Sequence, residues 1–231
     1  MAAPDDFSER LTLHLRSWVG AWPAPSAGIH VVGDPARLEP TWDGSVRRLQ
    51  GVGDGRSTVI AVPPDAVAAV TDAIGDDPTR PGLGDELGGI LGVGPAAFGH
   101  GVFRTTEHVD DAIDDLGEWF ERQTPELPDW LAPFNGPRLV AFDDEGRTIG
   151  SVGIKIHDRF GQELSVVTDE AARGQGVARR LIATAARRVL AEGAVPTYLH
   201  APDNTASARV ADAVGFVNRG WTVWGLWPRG R

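Results

Sequence analysis

The chain has 231 residues, with 22 Lys and Arg against 32 Asp and Glu, for a formal net charge of -10. Such a surface repels phosphate backbones and anionic lipid, which excludes nucleic acid and membranes as default partners. The lack of cysteine excludes disulfides, thiolate metal sites and a cysteine nucleophile, and His30, His100, His108 and His157 have no metal-ligand spacing. The first twenty residues lack a basic start and a continuous apolar core, and no stretch approaches a membrane span, so a cytoplasmic protein is expected.

In chain order, Phe7, Leu11, Leu15 and Trp18 recur at helical spacing, which predicts a helix over residues 5–18. Ser57–Val62 reads as a strand, and the Pro-Pro-Asp after it opens a helix with Val67, Val70 and Ile74 on one face. Residues 75–101 are crowded with glycine but contain no lysine, so a nucleotide P-loop is disfavoured and loop and turn are expected. Ala112, Leu116, Trp119 and Phe120 suit a helix, and Pro125, Pro128 and Pro133 then break the chain. A boundary near residue 135 follows, with a module over 1–135 and a domain over 136–231.

Beyond Pro137 the strands Arg138–Phe142, Thr148–Ile156 and Gln162–Thr168 form a meander, the first two joined by the turn Asp143-Asp144-Glu145-Gly146. A helix over Val177–Leu190 stops at Glu192-Gly193. Then come a strand over Val195–Ala201, a short helix over Asn204–Val214 ended by Gly215, and a last strand region over Val217–Trp227. An antiparallel meander followed by helix, strand, helix and strand places the domain in the α+β class.

Chemistry concentrates between Leu164 and Ala178, where a strand runs through a glycine-containing loop into a helix. Gly174 and Gly176 let an oxyanion approach the main chain, and the first N–H groups of the helix point at it with the dipole behind them. Arg173 adds charge. The dinucleotide pattern Gly-x-Gly-x-x-Gly is absent.

Arg173-Gly174-Gln175-Gly176-Val177-Ala178 resembles the Arg/Gln-x-x-Gly-x-Gly/Ala signature of the GCN5-related N-acetyltransferases (GNAT). The run from Asn204 through Ser207 to Gly215-Phe216 is similar to the family's second signature. The segments around Tyr198-Leu199-His200 and Gly215-Phe216-Val217 are most similar to glycine N-acyltransferase-like C-terminal domains. The resemblance implies a GNAT fold, with a mixed, mostly antiparallel sheet flanked by helices. Residues 1–135 would then be an α/β extension, either an acceptor-binding module or a degenerate second lobe.

It also implies acetyl-CoA as acyl donor and direct attack by a primary amine, with no metal. The main chain of Arg173, Gly174, Gln175, Gly176, Val177 and Ala178 would hold the pyrophosphate. The strand edge at Val166 and Thr168 would pair with the pantetheine arm. Asn204 and Ser207 would contact the cofactor. Many members carry a tyrosine five residues before the phenylalanine of Gly-Phe as general acid, and here that position is Ala211. Tyr198, the only tyrosine, Ser207 or water stands as the substitute. Glu163 and His200 are the candidate bases.

Structural readings stand beside these: Glu163 as a solvated edge residue, His200 as a bonded strand end, and Arg179, Arg180, Arg187 and Arg188 as a solvated helix face. Trp221, Trp224 and Trp227 line either a pocket, a dimer contact or the core, and Phe160 and Trp130 are candidates for an acceptor rim. The expected acceptor is a small-molecule amine, and the chain is expected to be a monomer or homodimer. The competing function is an acyl-CoA sensor without turnover, motivated by Ala211; weaker still is an interaction protein using its tryptophans.

Overall fold

The structure is a computed structural model that describes residues 6–75 and 77–229. In chain order the elements are α1 (Phe7–Val19), β1 (Gly28–Gly33), β2 (Gln50–Gly53), β3 (Ser57–Val62), α2 (Val67–Ile74), α3 (Leu83–Ile90), β4 (Ala96–Thr105), β5 (Glu118–Phe120), β6 (Arg138–Phe142), β7 (Thr148–Ile156), β8 (Gly161–Thr168), α4 (Val177–Ala191), β9 (Val195–His200), α5 (Thr205–Val214) and β10 (Thr222–Pro228). Among the described residues no helix is long and apolar enough to cross a membrane.

Chain contacts divide the molecule into two compact units. The first holds Arg104–Asn218 with the start of the chain up to Leu11, and the second holds Thr12–Phe103 with Arg219 onward. The divide falls at Phe103/Arg104 and Asn218/Arg219, away from the composition change near residue 135. The prolines there only terminate a covering segment of the first unit, and main-chain pairing gives β10 to the second.

In the first unit β5, β6, β7 and β8 pair antiparallel in that order, and β9 runs parallel to β8. Helix α4 forms because Val177, Leu181, Ile182, Ala185, Ala186 and Val189 make one buried stripe. Its alanines cost little to order. That stripe packs on Leu139, Ala141, Val152, Ile154 and Leu164 from the sheet, with Tyr198, Val214 and Phe216 completing the core.

On the other face of the sheet lie Trp130, Phe134 and Asn135, from the stretch just ahead of β6. Gly153 leaves room there for the Phe134 ring, which an added Cβ would meet at 2.5 Å. Asn135 is zippered to the main chain of Ile156 by two hydrogen bonds of 2.9 and 2.8 Å. The buried Arg138 guanidinium donates to the carbonyls of Gly136 and Phe134. The helix expected near residues 112–120 is instead turns followed by β5, where Trp119 pairs opposite Leu139 on the edge of the sheet. The partner strand decides this, since a short apolar run fits either period.

In the second unit β1 pairs parallel with β3, β3 antiparallel with β2, and β10 lies between β2 and β4, antiparallel to both. Val70, Ile74, Leu83 and Leu87 from α2 and α3 pack on Ile60 and Val62. The glycine-rich stretch expected to be loop and turn contains α3 and much of β4. Its glycines serve contact: a Cβ at Gly84 would lie 2.4 Å from the Ala96 carbonyl oxygen, and one at Gly88 2.0 Å from that of Gly94.

The three late tryptophans do not share a face. Trp221 packs on Trp22 and Phe103, with ring centroids 5.6 and 6.2 Å away. Trp224 packs on Phe98 and His100 at 5.2 and 4.7 Å, and Trp227 is half exposed. A spacing of three along an extended chain alternates faces.

Candidate active site

The site is built where β8 and β9 part. Parallel pairing runs from Gly161↔Val195 to Leu164↔Tyr198 and stops there. Pairing of β8 with β7 continues to Thr168. Along residues 165–168, which include Val166 and Thr168, β8 therefore has a strand on one side only. Such an edge presents N–H and C=O groups to an extended ligand.

Immediately beyond that edge comes the loop. Gly174 and Gly176 both have φ of +77°, a conformation in which a side chain is strained, and a Cβ at either would point into open space. Gly176 caps α4 with no side-chain hydrogen bond, so the first N–H groups of a 15-residue helix are left for another acceptor. Arg173, Gly174, Gln175 and Gly176 are exposed, Val177 is buried beneath them and Ala178 is half buried. The Gln175 amide folds back onto the Ala171 carbonyl at 2.9 Å.

The arginines of the loop and of α4 separate into two groups. Arg180, Arg187 and Arg188 tie down the segment before β6: Arg180 donates to the Asp115 carbonyl, Arg187 to the carbonyls of Asp110 and Ile113, and Arg188 to Glu121 while lying 4.4 Å over the Trp119 ring. Arg173 and Arg179 are exposed, with no ion pair among the described residues. They are the cations left to face an anion at the loop.

Asn204 is the N-cap of α5, its Oδ1 accepting from the Ser207 N–H at 3.0 Å. The Ser207 hydroxyl is engaged with the Tyr198 phenol. Ser207 and Ala211 are one turn apart, so Tyr198 reaches from β9 to the face of α5 that carries Ala211. Tyr198 is 2% exposed, and burial pushes its phenol up, against the opposing pull of the Ser207 hydrogen bond and the Arg104 cation. The side chain stays protonated at neutral pH.

Glu163 is the strand partner of Thr197 and Lys155, on the sheet face away from α4. Its Oε1 is ion-paired to Lys155, and its Oε2 lies 3.1 Å from His157 Nε2. Burial raises its pKa, but the Lys155 cation and the His157 bond outweigh that and hold it down at about 2. The reading of Glu163 as a solvated edge residue is corrected, since it is buried and doubly bonded.

His200 is also buried. Its Nε2 accepts from Arg104 Nε at 3.1 Å, and its Nδ1 faces the Ala201 carbonyl at 2.8 Å. Because a guanidinium N–H can only donate, His200 is neutral in this arrangement, with its proton on Nδ1. Tyr198, His200, Asn204 and Ser207 are thus brought together at the open end of β9, while Glu163 sits on the opposite face with Lys155 and His157. Trp130 borders that opposite face, its Nε1 donating to Ser151 at 3.2 Å. Phe160 is half buried beneath the Arg159 guanidinium, 4.5 Å from its ring.

Arg104, Lys155 and Trp130 give this region its polar wiring, and none has a local motif that singles it out. Among the described residues no cluster of three metal-ligating side chains occurs.

Residues 106–216 match the model of the acetyltransferase (GNAT) family. The first unit has the GNAT fold. The match covers the half-paired strand, the loop and both following helices. No curated protein matches the chain. Solved structures similar to it include a GNAT-family chain from Novosphingobium aromaticivorans, with 20% identity over 58% of this chain and 66% of that one and a TM-score of 0.46. Another is an acetyltransferase of the GNAT family from Colwellia psychrerythraea, with 12% identity over 62% and 61% and a TM-score of 0.44. A third is a GCN5-related N-acetyltransferase-like protein from Streptococcus suis, with 15% identity over 74% and 71% and a TM-score of 0.46. The chain spans under two thirds of the length of the first two.

Proposed function

We propose that the protein is an N-acetyltransferase of the glycine N-acyltransferase-like branch, moving an acetyl or short acyl group from acetyl-CoA to a primary amine on a small molecule. The observation that carries this reading is the succession, along a few consecutive residues, of a half-paired strand, two left-handed glycines and an uncapped helix start. These parts suit the pyrophosphate and pantetheine of the donor. The main chain of residues 173–178 grips the phosphates, Val166 and Thr168 pair with the arm, and Asn204 and Ser207 sit where the arm ends.

The amine attacks the acyl carbon directly, a C–N bond forms, and the C–S bond breaks. The leaving sulfur takes a proton from Tyr198, which stands in for the tyrosine absent at position 211. The proton lost by the amine goes to solvent. A carboxylate held at about 2 is a poor proton acceptor at neutral pH. We therefore assign Glu163 to holding Lys155 and His157, and His200 to holding Arg104. The acidic surface favours a cationic acceptor.

Three measurements test this. Calorimetry is expected to show micromolar acetyl-CoA binding that Gly176→Trp abolishes; a folded wild type that binds none would sink the reading. Tyr198→Phe is expected to lower kcat by about 100-fold with KM for acetyl-CoA unchanged. Ala211 favours one alternative, an acyl-CoA sensor: binding without free-thiol release across a panel of amines would select it. With no enzymic base, the rising limb of the pH–rate profile follows the acceptor's own pKa. Two amines of different basicity should displace that limb, and a limb fixed for both would mean an enzymic base after all.

A further inference from the structure

The buried guanidinium of Arg104 lies outside every motif of this chain. Arg104 is 4% exposed near the end of β4. Its Nε donates to His200, and its Nη1 donates to Asp212 and to the Phe216 carbonyl. Tyr198 sits among the same partners, its ring centroid 6.5 Å from that of His200 and 5.5 Å from that of Phe216. The cation is incompletely balanced. His200 is neutral, and the Asp212 side chain is 66% exposed, where water screens its charge.

Among the described residues, the hydrophobic cluster that holds the Tyr198 ring is drawn from the other elements packed around it. The buried face of α4 presents Leu181, Ile182, Ala185 and Val189, and β8 presents Leu164. Glu163 and Lys155 lie on the opposite face of the sheet.

We propose that Arg104 is a positioning residue for the acid step, a fixed cation clamped between the neighbours of Tyr198 that stabilises the phenolate left when the phenol gives up its proton. The inference rests on the assignment of Tyr198 as acid. As the C–S bond breaks, sulfur keeps the electron pair and takes the phenol proton. The phenolate lasts until the proton shed by the acylated nitrogen returns through solvent. A cation in a buried setting favours the charged form of its neighbour.

Tyr198 is the only tyrosine in the chain, so its ionisation can be followed alone by the phenolate absorbance band. Global replacement with a fluorinated tyrosine moves that ionisation toward neutrality and labels one site. The full-length protein is titrated as wild type, Arg104→Gln and Asp212→Asn, with circular dichroism on each sample to show that the fold persists. Arg104→Gln is expected to raise the midpoint by about one pH unit, and Asp212→Asn to lower it, because removing the carboxylate leaves the cation less balanced. Loosening of the fold has the opposite sign in Arg104→Gln, since exposing a buried phenol lowers its midpoint.

A midpoint that stays or falls in a folded Arg104→Gln overturns the proposal. Should that variant not fold, the exposed Asp212 decides: an unchanged or raised midpoint in Asp212→Asn overturns it equally. Arg104→Lys should keep most of the wild-type midpoint. In turnover, Arg104→Gln lowers kcat with KM for acetyl-CoA unchanged. Titration coupling without turnover of any amine by wild type would remove the acetyl-transfer reading and leave the coupling standing. Turnover without coupling would do the reverse.

Discussion

Glu163 shows how neighbours, more than residue type, set what a side chain does. An isolated carboxylate on a strand is a natural base, but this one is buried with a lysine on one oxygen and a histidine on the other. Its pKa falls from 4.5 to about 2. The folded value lies below the unfolded one, so its contribution to stability is complete above pH 4.5 and is lost as pH falls toward 2. That contribution is about 3 kcal/mol at neutral pH. Glu163→Gln should cost a similar amount, about 3 kcal/mol, by removing the buried carboxylate charge that pairs with Lys155 and His157. It should also flatten the dependence of stability on pH within this window. Chemical denaturation at a series of pH values checks both; a variant that keeps the wild-type acid slope would show that other carboxylates carry it. The same variant should leave acetyl-CoA affinity intact.

Helix α3 makes the corresponding point for whole elements. Three of its eight residues are glycine, a composition that on propensity alone argues against a helix. It packs where β4 and the turn ahead of it approach so closely that Gly84, against Ala96, and Gly88, against Gly94, admit no side chain. Tertiary contact repays the entropy that glycine loses on ordering. Gly84→Ala is expected to destabilise the second unit by about 3 kcal/mol, although alanine is the better helix former, because the obstacle is backbone and cannot rotate away. A stabilised variant in thermal melts would show that the helix and strand part at little cost. Helix α4 is the opposite case, since its alanines and buried stripe agree with its fold. Mutations on its exposed face should matter only where Arg180, Arg187 and Arg188 tie down the segment ahead of β6.

Across the whole molecule, chain order and compactness disagree. The second unit takes its fourth strand from the end of the chain, with β10 paired to β2 from Thr222↔Gly53 to Gly225↔Gln50 and to β4 along its full length. A chain ending at Asn218 should therefore lose the second unit as a cooperative body. Limited proteolysis would show cleavage within residues 12–103, with protection retained across 104–218. A fragment over 136–231 should aggregate, because it carries β10 without either pairing partner and lacks the Phe134 segment that covers the sheet. Protection of residues 12–103 in the shortened chain would mean that β2 and β4 close the gap without it.

Within the first unit the elements follow the sequence where the physics is local. The strand end, the two glycines and the first turn of α4 all fall within a few consecutive residues. The strands of residues 138–168 and helix α4 likewise announce themselves by their own apolar periods. Folding decided whatever depends on residues far apart in sequence. Arg104 meets His200 across 96 positions, β10 pairs with strands more than a hundred residues away, and Trp119 became a strand residue because Leu139 lay beside it. Glycine at 84 and 88 signals turn in isolation and close packing in context. Charge balance at Glu163 and Tyr198 belongs to the same class, because a side chain's acidity depends on which distant groups surround it and how much water they exclude.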